Sequence, residues 1–141
     1  QKFNALNKVI RDLHLRKTEI HSAKALQKYR YRSVTTPYEM AKVFETLHKE
    51  KYLTKEKSAA MKNDLANTIF NDEMPRYMQT KVMHKIGQLD DLLCDVGIVD
   101  DGKDQILISI YTITGKSEEY ASDFIANMSA KLYNALRRKT R

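Results

Sequence analysis

Two apolar segments of strand length, residues 92–99 and 105–112, flank the short polar sequence 100–103, and this arrangement constrains the fold more than any other feature. The polar sequence contains Asp101 followed by Gly102, a favoured pair in the tight turn of a β-hairpin. A hairpin requires the two segments to pair in antiparallel orientation. Both segments are almost continuously apolar, as expected for strands whose two faces are covered by other layers. The sequence therefore predicts an antiparallel sheet inside a layered domain.

A third strand is predicted over residues 81–86, and the part of the chain before it is predicted to be helical. Four apolar residues near the start of the chain recur at helical spacing: Phe3, Leu6, Ile10 and Leu13. They indicate a first helix that ends near His14. Residues 16–33 are rich in Lys, Arg, His and Tyr and show no clear period, so we expect a long ordered loop with at most one helical turn.

Two further helices are predicted from their starting residues. Thr36 can cap a helix whose first residue is Pro37, and Glu39 can complete a capping box with Thr36. Thr54 can cap the next helix, whose buried side is expected to contain three apolar residues: Ala60, Met61 and Leu65. A short helix or turn is expected over residues 67–71.

Ser117 is predicted to cap a final helix. The apolar side of this helix is expected to contain six residues: Ala121, Phe124, Ile125, Met128, Leu132 and Leu136. Together the elements make an α+β fold with a three-stranded antiparallel sheet packed against helices. We expect one domain over residues 1–141, with a helical part at about 1–72 and the strands and last helix at about 79–138.

Composition places the chain among globular proteins. Its 141 residues are 42% hydrophobic and 30% charged, which fits one folded domain rather than a disordered chain. The net charge of +7 favours acidic surroundings such as nucleic acid, anionic lipid or an anionic cell-wall polymer, without choosing among them. The sequence begins with Gln1 rather than Met, so we expect it to be part of a longer chain.

No cofactor or metal is predicted from the sequence. The single cysteine, Cys94, lies in an apolar strand and is interpreted as a small buried residue rather than a nucleophile. The four histidines are scattered without the spacing of a metal site. The four glycines form no phosphate-binding loop.

Several local sequences follow one another along the chain: Thr35-Thr36-Pro37 before Met40-Ala41, Leu53-Thr54, His84-Lys85-Ile86-Gly87, Asp95-Val96-Gly97-Ile98-Val99, and Ile108 to Thr112 before the last helix. In this order and spacing they resemble the C-terminal portion of the class A β-lactamase and penicillin-binding-protein superfamily. The resemblance covers roughly residues 3–138. It implies a β-lactamase-like or transpeptidase-like fold whose N-terminal part is missing here.

The resemblance implies acyl transfer by a serine in a Ser-x-x-Lys motif, helped by a Ser-Asp-Asn loop and a Lys-Thr/Ser-Gly strand. Lys85 would belong to the third motif, as a catalytic and substrate-binding cation that attracts the carboxylate of a β-lactam or of a peptidoglycan-like peptide. Gly87 would leave the strand edge bare for the substrate backbone. His84 would orient Lys85 or face the other side of the strand. A solvated edge lysine and a strand-ending glycine are the alternative interpretation.

The sequence departs from the family pattern at two points. Ile86 stands where the family has a Thr or Ser whose hydroxyl helps to bind the substrate carboxylate. No acidic residue occurs between Ile20 and Tyr38, where class A enzymes place the glutamate that activates the deacylating water, and Glu19 lacks the usual context. None of the seven serines has Lys three residues later, and Ser-Asp-Asn is absent, which fits a chain without the N-terminal part in which the family carries both motifs. We therefore expect a weak or degenerate hydrolase in the full-length protein and no activity from this chain alone.

One alternative is a non-catalytic binding or regulatory module with the same fold. The other is a nucleic-acid-binding protein, which the basic residues favour less because they are dispersed over the whole chain. We expect no nucleic acid partner. Lys24, Lys28, Arg30 and Arg32 could bind an anionic cell-wall polymer or simply form a solvated face. Strand 105–112 would be an uncovered edge for the missing N-terminal half or for a second copy in a homodimer. The resemblance implies a bacterial, extracytoplasmic protein.

Overall fold

The computed structural model describes residues 3–139, with side chains as far as Arg137. Its elements follow the predicted α+β order. They are α1 Asn4–Asp12, α2 Ala23–Tyr29, α3 Pro37–His48, α4 Lys55–Ala66, a 3-10 helix Met74–Tyr77, β1 Lys81–Leu89, β2 Leu92–Asp100, β3 Gln105–Ile113 and α5 Glu118–Lys139. No helix in this described part is both long and apolar enough to cross a membrane.

The three strands form one antiparallel sheet in the order β1-β2-β3. The predicted hairpin between β2 and β3 is confirmed, and its Gly102 has a φ of +82°, a conformation that side chains other than glycine rarely adopt. A second, unpredicted hairpin joins β1 to β2 through Asp90 and Asp91. Because of it, β1 does not end at Ile86 as predicted but continues to Leu89, opposite Leu92.

The sheet lies between two helical layers. On one face, Met74 of the 3-10 helix and Tyr133 of α5 pack against Val82, Val99 and Ile108. On the other face, Phe44 of α3 packs against residues of β1 and β2 that point the opposite way: Met83, Val96 and Ile98. The central strand β2 is buried over nearly all of its length. Its continuous apolar sequence is explained by this cover on both faces.

The helix caps are local and were predicted correctly. Thr36 Oγ1 accepts a hydrogen bond from the Glu39 N–H at 3.2 Å, and Thr54 Oγ1 accepts one from the Lys57 N–H at 3.3 Å. The predicted capping box is wrong in its second half. The Glu39 carboxylate accepts bonds from the Lys17 N–H at 2.9 and 3.1 Å and from the Thr18 hydroxyl, and so it anchors the preceding loop instead.

Both predicted apolar helix sides need correction. In α4, Leu65 packs against the core as predicted, but Ala60 and Met61 are exposed, and the small Ser58 is fully buried. In α5, Ala121 and Ile125 are buried as predicted. Three of the predicted residues are exposed by 38–44%: Phe124, Leu132 and Leu136. The buried side of α5 also contains four other residues: Ser122, Ala126, Ser129 and Tyr133. The small side chains of Ser122, Ala126 and Ser129 allow close approach of the helix to the sheet.

The long loop is more structured than predicted. It contains the seven-residue helix α2, and its two ends are joined by an isolated antiparallel bridge between Glu19 and Val34. Residues 67–71 are not helical, and the helical turn of this region lies at Met74–Tyr77. Pro75 at the start of that turn explains the shift, because its fixed φ suits the first turn of a helix.

Candidate active site at the edge of the sheet

Lys85 lies on β1, the strand at one edge of the sheet, and its side chain is exposed. Since side chains alternate along a strand, Lys85 shares the face of Met83, which packs against α3. Its Nζ donates a hydrogen bond to the Ile86 carbonyl at 2.7 Å and lies 5.9 Å from the centre of the Phe70 ring. Within residues 3–139, no carboxylate lies within 4.0 Å of this ammonium group. The edge therefore presents a cation that is not neutralised.

Gly87 lies two residues further along the same face, opposite Cys94 of β2. A Cβ atom at Gly87 would lie 2.9 Å from Cys94 Sγ, closer than real Cβ contacts. Cys94 is buried, as predicted, and burial raises the pKa of its thiol. A thiol is a poor nucleophile compared with a thiolate, so Cys94 is not suited to nucleophilic attack at neutral pH. Its role here is to fill the space beneath Gly87.

His84 lies on the opposite face of β1 from Lys85. Its Nδ1–H donates to the carboxylate of Asp95, with both oxygens at 2.9 Å, and the relative exposures of the two side chains are 1% and 0%. Asp95 Oδ2 also accepts the Met74 N–H at 3.0 Å. The pair thus fastens β1, β2 and the 3-10 helix to one another. Ile86 follows on the face of His84, where it brings a hydrocarbon side chain to the strand edge.

A cavity of about 500 Å³ opens beside Gly87, between the end of β1 and the long loop. Its lining is mostly apolar and includes Val34, Met40 and Tyr111. Glu19 also lines this cavity, and its carboxylate accepts a hydrogen bond from the Ser22 hydroxyl. Among the side chains that line this cavity, Glu19 is the one acidic residue.

The sequence pattern of the beta-lactamase enzyme family matches residues 2–136 of the chain. The chain belongs to the beta-lactamase enzyme family. Similar solved structures include a beta-lactamase from Sphaerobacter thermophilus, with a TM-score of 0.82 and 19% identity, and PBP-A, with a TM-score of 0.79 and 18% identity. A mutant of PBP-A described as an acyl-enzyme complex with penicillin G gives a TM-score of 0.80 at 19% identity.

These structures share the fold with the chain over 94% of its length, but the match covers only 51–53% of each of them. The chain therefore spans about half the length of the β-lactamase-fold structures it matches. No curated protein matches the chain. The predicted family and the α+β fold class are both confirmed.

The structure assembles Lys85, Ile86 and Gly87 as consecutive residues of an open strand edge, with Lys85 and Gly87 on one face and Ile86 and His84 on the other. The sequence did not predict Asp95 as the buried partner of His84. A signal was available, since Asp95 is an ionisable residue inside an apolar strand of this β-lactamase-family chain and such residues are buried only with a partner. Among residues 3–139, no group of three His, Cys, Asp or Glu side chains is arranged to hold a metal ion.

Proposed function

We propose that this chain forms the substrate-facing half of a β-lactamase-like serine hydrolase that transfers the acyl group of a β-lactam or of a cell-wall peptide amide. The observation that carries this proposal is the ammonium group of Lys85, which lies without a neutralising carboxylate beside Gly87 at an open strand edge. Such a cation attracts the carboxylate of a substrate and stabilises negative charge that develops during acyl transfer. We place the protein in a bacterium, outside the cytoplasmic membrane.

The edge can bind an extended substrate in two ways. Gly87 adds no side chain at the strand edge, so the backbone of a substrate can approach β1 closely from outside the sheet. The outer edge of β1 pairs with no other strand in the described sheet, so its N–H and C=O groups can bond to such a backbone, apart from the Ile86 carbonyl, which accepts the bond from Lys85 Nζ.

Ile86 weakens this site. A hydroxyl at that position would donate a hydrogen bond to the substrate carboxylate, and a bond to a charged group is worth about 1.5–3 kcal/mol. Its absence lowers substrate affinity more than tenfold unless another donor replaces it. We therefore propose a weak or degenerate enzyme.

The nucleophile must be supplied by residues other than 1–141, because no Ser-x-x-Lys motif occurs among them. Two features support a further partner: the outer edge of β3 is unpaired in the described sheet, and α5 exposes an apolar stripe of Phe124, Leu132 and Leu136. We propose that the other half of the β-lactamase fold covers both. A second copy of the chain is the alternative, and the molar mass in solution distinguishes a homodimer from a monomer.

The test uses a longer protein that joins this chain to a region with Ser-x-x-Lys and measures covalent labelling by a fluorescent penicillin. Lys85→Gln is expected to reduce the labelling rate at least tenfold. Lys81→Gln is the matched control, because Lys81 is an exposed lysine on the same face of the same strand. Ile86→Thr is expected to increase the rate. Equal labelling of the Lys85→Gln and Lys81→Gln proteins would refute the assignment of Lys85.

A non-catalytic binding or regulatory module is the second candidate. The hydrocarbon side chain of Ile86 and the absence of acidic residues between Ile20 and Tyr38 favour it, since both remove chemistry and leave the fold intact. For such a module, penicillin would protect the longer protein against thermal unfolding without forming a covalent adduct. A covalent adduct that forms and depends on Lys85 would exclude it.

A further inference from the structure

Residues 22–33 form a compact surface feature, here called the basic lobe. It consists of α2 and the segment that returns to the sheet, and it carries four cations: Lys24, Lys28, Arg30 and Arg32. All four side chains are exposed. The bridge between Glu19 and Val34 closes the lobe at its base.

No ion pair among the described residues neutralises the charge of the basic lobe, although the carboxylate of Glu19 at its base is near enough to attract Lys28. Elsewhere on the surface, cations pair with carboxylates, as in Lys8–Asp12, Lys49–Glu45 and Lys62–Glu50. Within the described part of the chain, no carboxylate lies within 4.0 Å of any of the four cations of the basic lobe. Residues 20–38 contain no Asp or Glu, so the positive field of the lobe extends into solvent.

The backbone of the basic lobe is held by hydrogen bonds at both ends of α2. Ser22 Oγ accepts the Ala25 N–H at 3.0 Å, and the Arg30 N–H, at a φ of 64°, donates to the Leu26 carbonyl at 3.0 Å. The Ser22 N–H donates to the Arg32 carbonyl at 2.8 Å, and Ala25 is buried beneath the helix with 1% exposure. A fixed backbone lowers the entropy cost of aligning the four cations on a ligand.

Two aromatic rings lie among the cations. Tyr29 is 49% exposed and Tyr31 is 39% exposed, and the Nζ of Lys28 lies 4.9 Å from the centre of the Tyr29 ring. The contact holds the Lys28 ammonium group over the Tyr29 ring. The side of the ammonium group that faces away from the ring stays open to an anion.

We propose that the basic lobe binds a linear polymer with regularly repeated phosphate groups, of the polyol-phosphate class. Lys24 and Lys28 are one helical turn apart on α2, Arg30 follows the C-terminal end of the helix, and the Arg32 carbonyl is bonded to the Ser22 N–H at its N-terminal end. The four cations are therefore spread over both ends of α2, an arrangement that matches repeated anions better than it matches one phosphate ion. Each contact adds counterion release and hence a salt-dependent gain in affinity.

The geometry favours this polymer over a membrane or a single-stranded nucleic acid. Leu26, Tyr29 and Tyr31 each expose less than half of their surface, so they lie along the lobe rather than project like a membrane anchor. A face of the Tyr29 ring is covered by Lys28, which restricts the stacking that single-stranded nucleic acid binding uses. A polyol phosphate needs only the cations and shallow contact with the rings.

The experiment measures binding of the 141-residue chain to poly(glycerol phosphate) at several salt concentrations. It requires no hydrolase activity, so its outcome is independent of the proposed function. The lobe variant replaces four residues by glutamine: Lys24, Lys28, Arg30 and Arg32. The control variant replaces four exposed lysines elsewhere by glutamine: Lys55, Lys57, Lys103 and Lys131. Both variants lose the same charge from the net +7, and thermal unfolding verifies that each is folded.

The lobe variant is expected to bind more than tenfold more weakly at about 0.1 M salt, and the slope of log affinity against log salt should shrink by about 3, at about 0.7 for each lost contact. The control variant should change affinity less than threefold. An equal loss in both variants would overturn the proposal, because it would mean that net charge alone binds the polymer. Tighter binding to a single-stranded oligonucleotide or to phosphatidylglycerol vesicles would also overturn it, as would equal affinity for monomeric glycerol phosphate.

Discussion

His84 and Asp95 form a charge-assisted hydrogen bond between two neighbouring strands in the interior of the protein, with Nδ1 2.9 Å from both carboxylate oxygens. The carboxylate also accepts the backbone N–H of Met74, so a single side chain connects three segments of the chain. Burial of a carboxylate without such partners would be very unfavourable. The pair holds in place the strand whose other face carries Lys85.

Replacement of Asp95 by Asn removes the charge and keeps the size of the side chain. We expect Asp95→Asn to lower the free energy of unfolding by about 3 kcal/mol, the order found when one partner of a buried pair is removed. Urea denaturation measures this change. Asp64→Asn, at an exposed position of α4, is the control and should change stability by less than about 0.5 kcal/mol. Equal effects of the two substitutions would contradict the role given to Asp95.

Gly97 is required by the close packing of β1 on β2. A Cβ atom there would lie 2.6 Å from His84 Cβ and 2.8 Å from the Met83 carbonyl oxygen. Because the second contact is with backbone, we expect Gly97→Ala to destabilise the protein by about 3 kcal/mol. Gly115→Ala is the control, since a Cβ at Gly115 would meet nothing within 4 Å. Thermal or urea unfolding of the two variants decides the matter, and a stable Gly97→Ala protein would show that the strands can separate at little cost.

The sequence was sufficient where the interacting groups are close along the chain. Thr36, Thr54 and Gly102 act on residues within one turn, so their caps and hairpin could be predicted from local patterns. It was insufficient where the partner is distant. Glu39 has the spacing of a capping box, yet its carboxylate is used by Lys17, 22 residues earlier.

The residues of the candidate site also differ in whether local sequence is enough to predict their arrangement. Lys85, Ile86 and Gly87 are consecutive, and a strand prediction alone puts them on one edge. Asp95 becomes the partner of His84 only through the register of β1 on β2. The sequence did not predict this register, because the turn at Asp90 was not recognised and β1 was predicted too short. The sequence also did not predict which apolar residues of α5 are exposed. Apolar residues occur on two sides of that helix, and only the packing shows which side is buried.

Asp101 makes the stability of the protein depend on pH in the acid range. Hydrogen bonds from the Asp104 N–H, the Tyr133 hydroxyl and the Lys103 N–H lower the pKa of Asp101 from 3.8 to about 2. The Asp101 carboxylate binds a proton more readily in the unfolded chain than in the folded protein. Its contribution to the free energy of unfolding is therefore present above about pH 4 and is lost as the pH falls through about 2.

We therefore expect Asp101→Asn to be less stable than the parent protein at neutral pH, with the difference shrinking between pH 4 and pH 2. The free energy of unfolding, measured at a series of pH values, tests this. Asp90→Asn, in the other hairpin turn, is the control. A difference between the Asp101→Asn and parent proteins that stays constant down to pH 2 would be inconsistent with the lowered pKa.

Glu39 anchors the base of the long loop through the Lys17 N–H and the Thr18 hydroxyl, which also lies 2.8 Å from the Thr35 hydroxyl. We expect Glu39→Gln to accelerate amide hydrogen exchange at least tenfold in residues 16–34, because an amide offers one acceptor oxygen where the carboxylate offers two. Glu45→Gln, on the exposed side of the same helix, should leave exchange in this loop unchanged. The idea fails if both variants have the same exchange rates.

The order of the strands along the chain has a consequence for how the protein folds. β1, β2 and β3 are consecutive and joined by two short turns, so the sheet can form from contacts that are local in sequence. Contacts of this kind close quickly because little loop entropy is lost. The bond from the Ser109 hydroxyl to the Pro37 carbonyl, by contrast, joins residues 72 positions apart. We infer that the hairpins form first and provide the surface on which α3 later docks, so that substitutions in the turns slow folding while substitutions in α3 mainly speed unfolding.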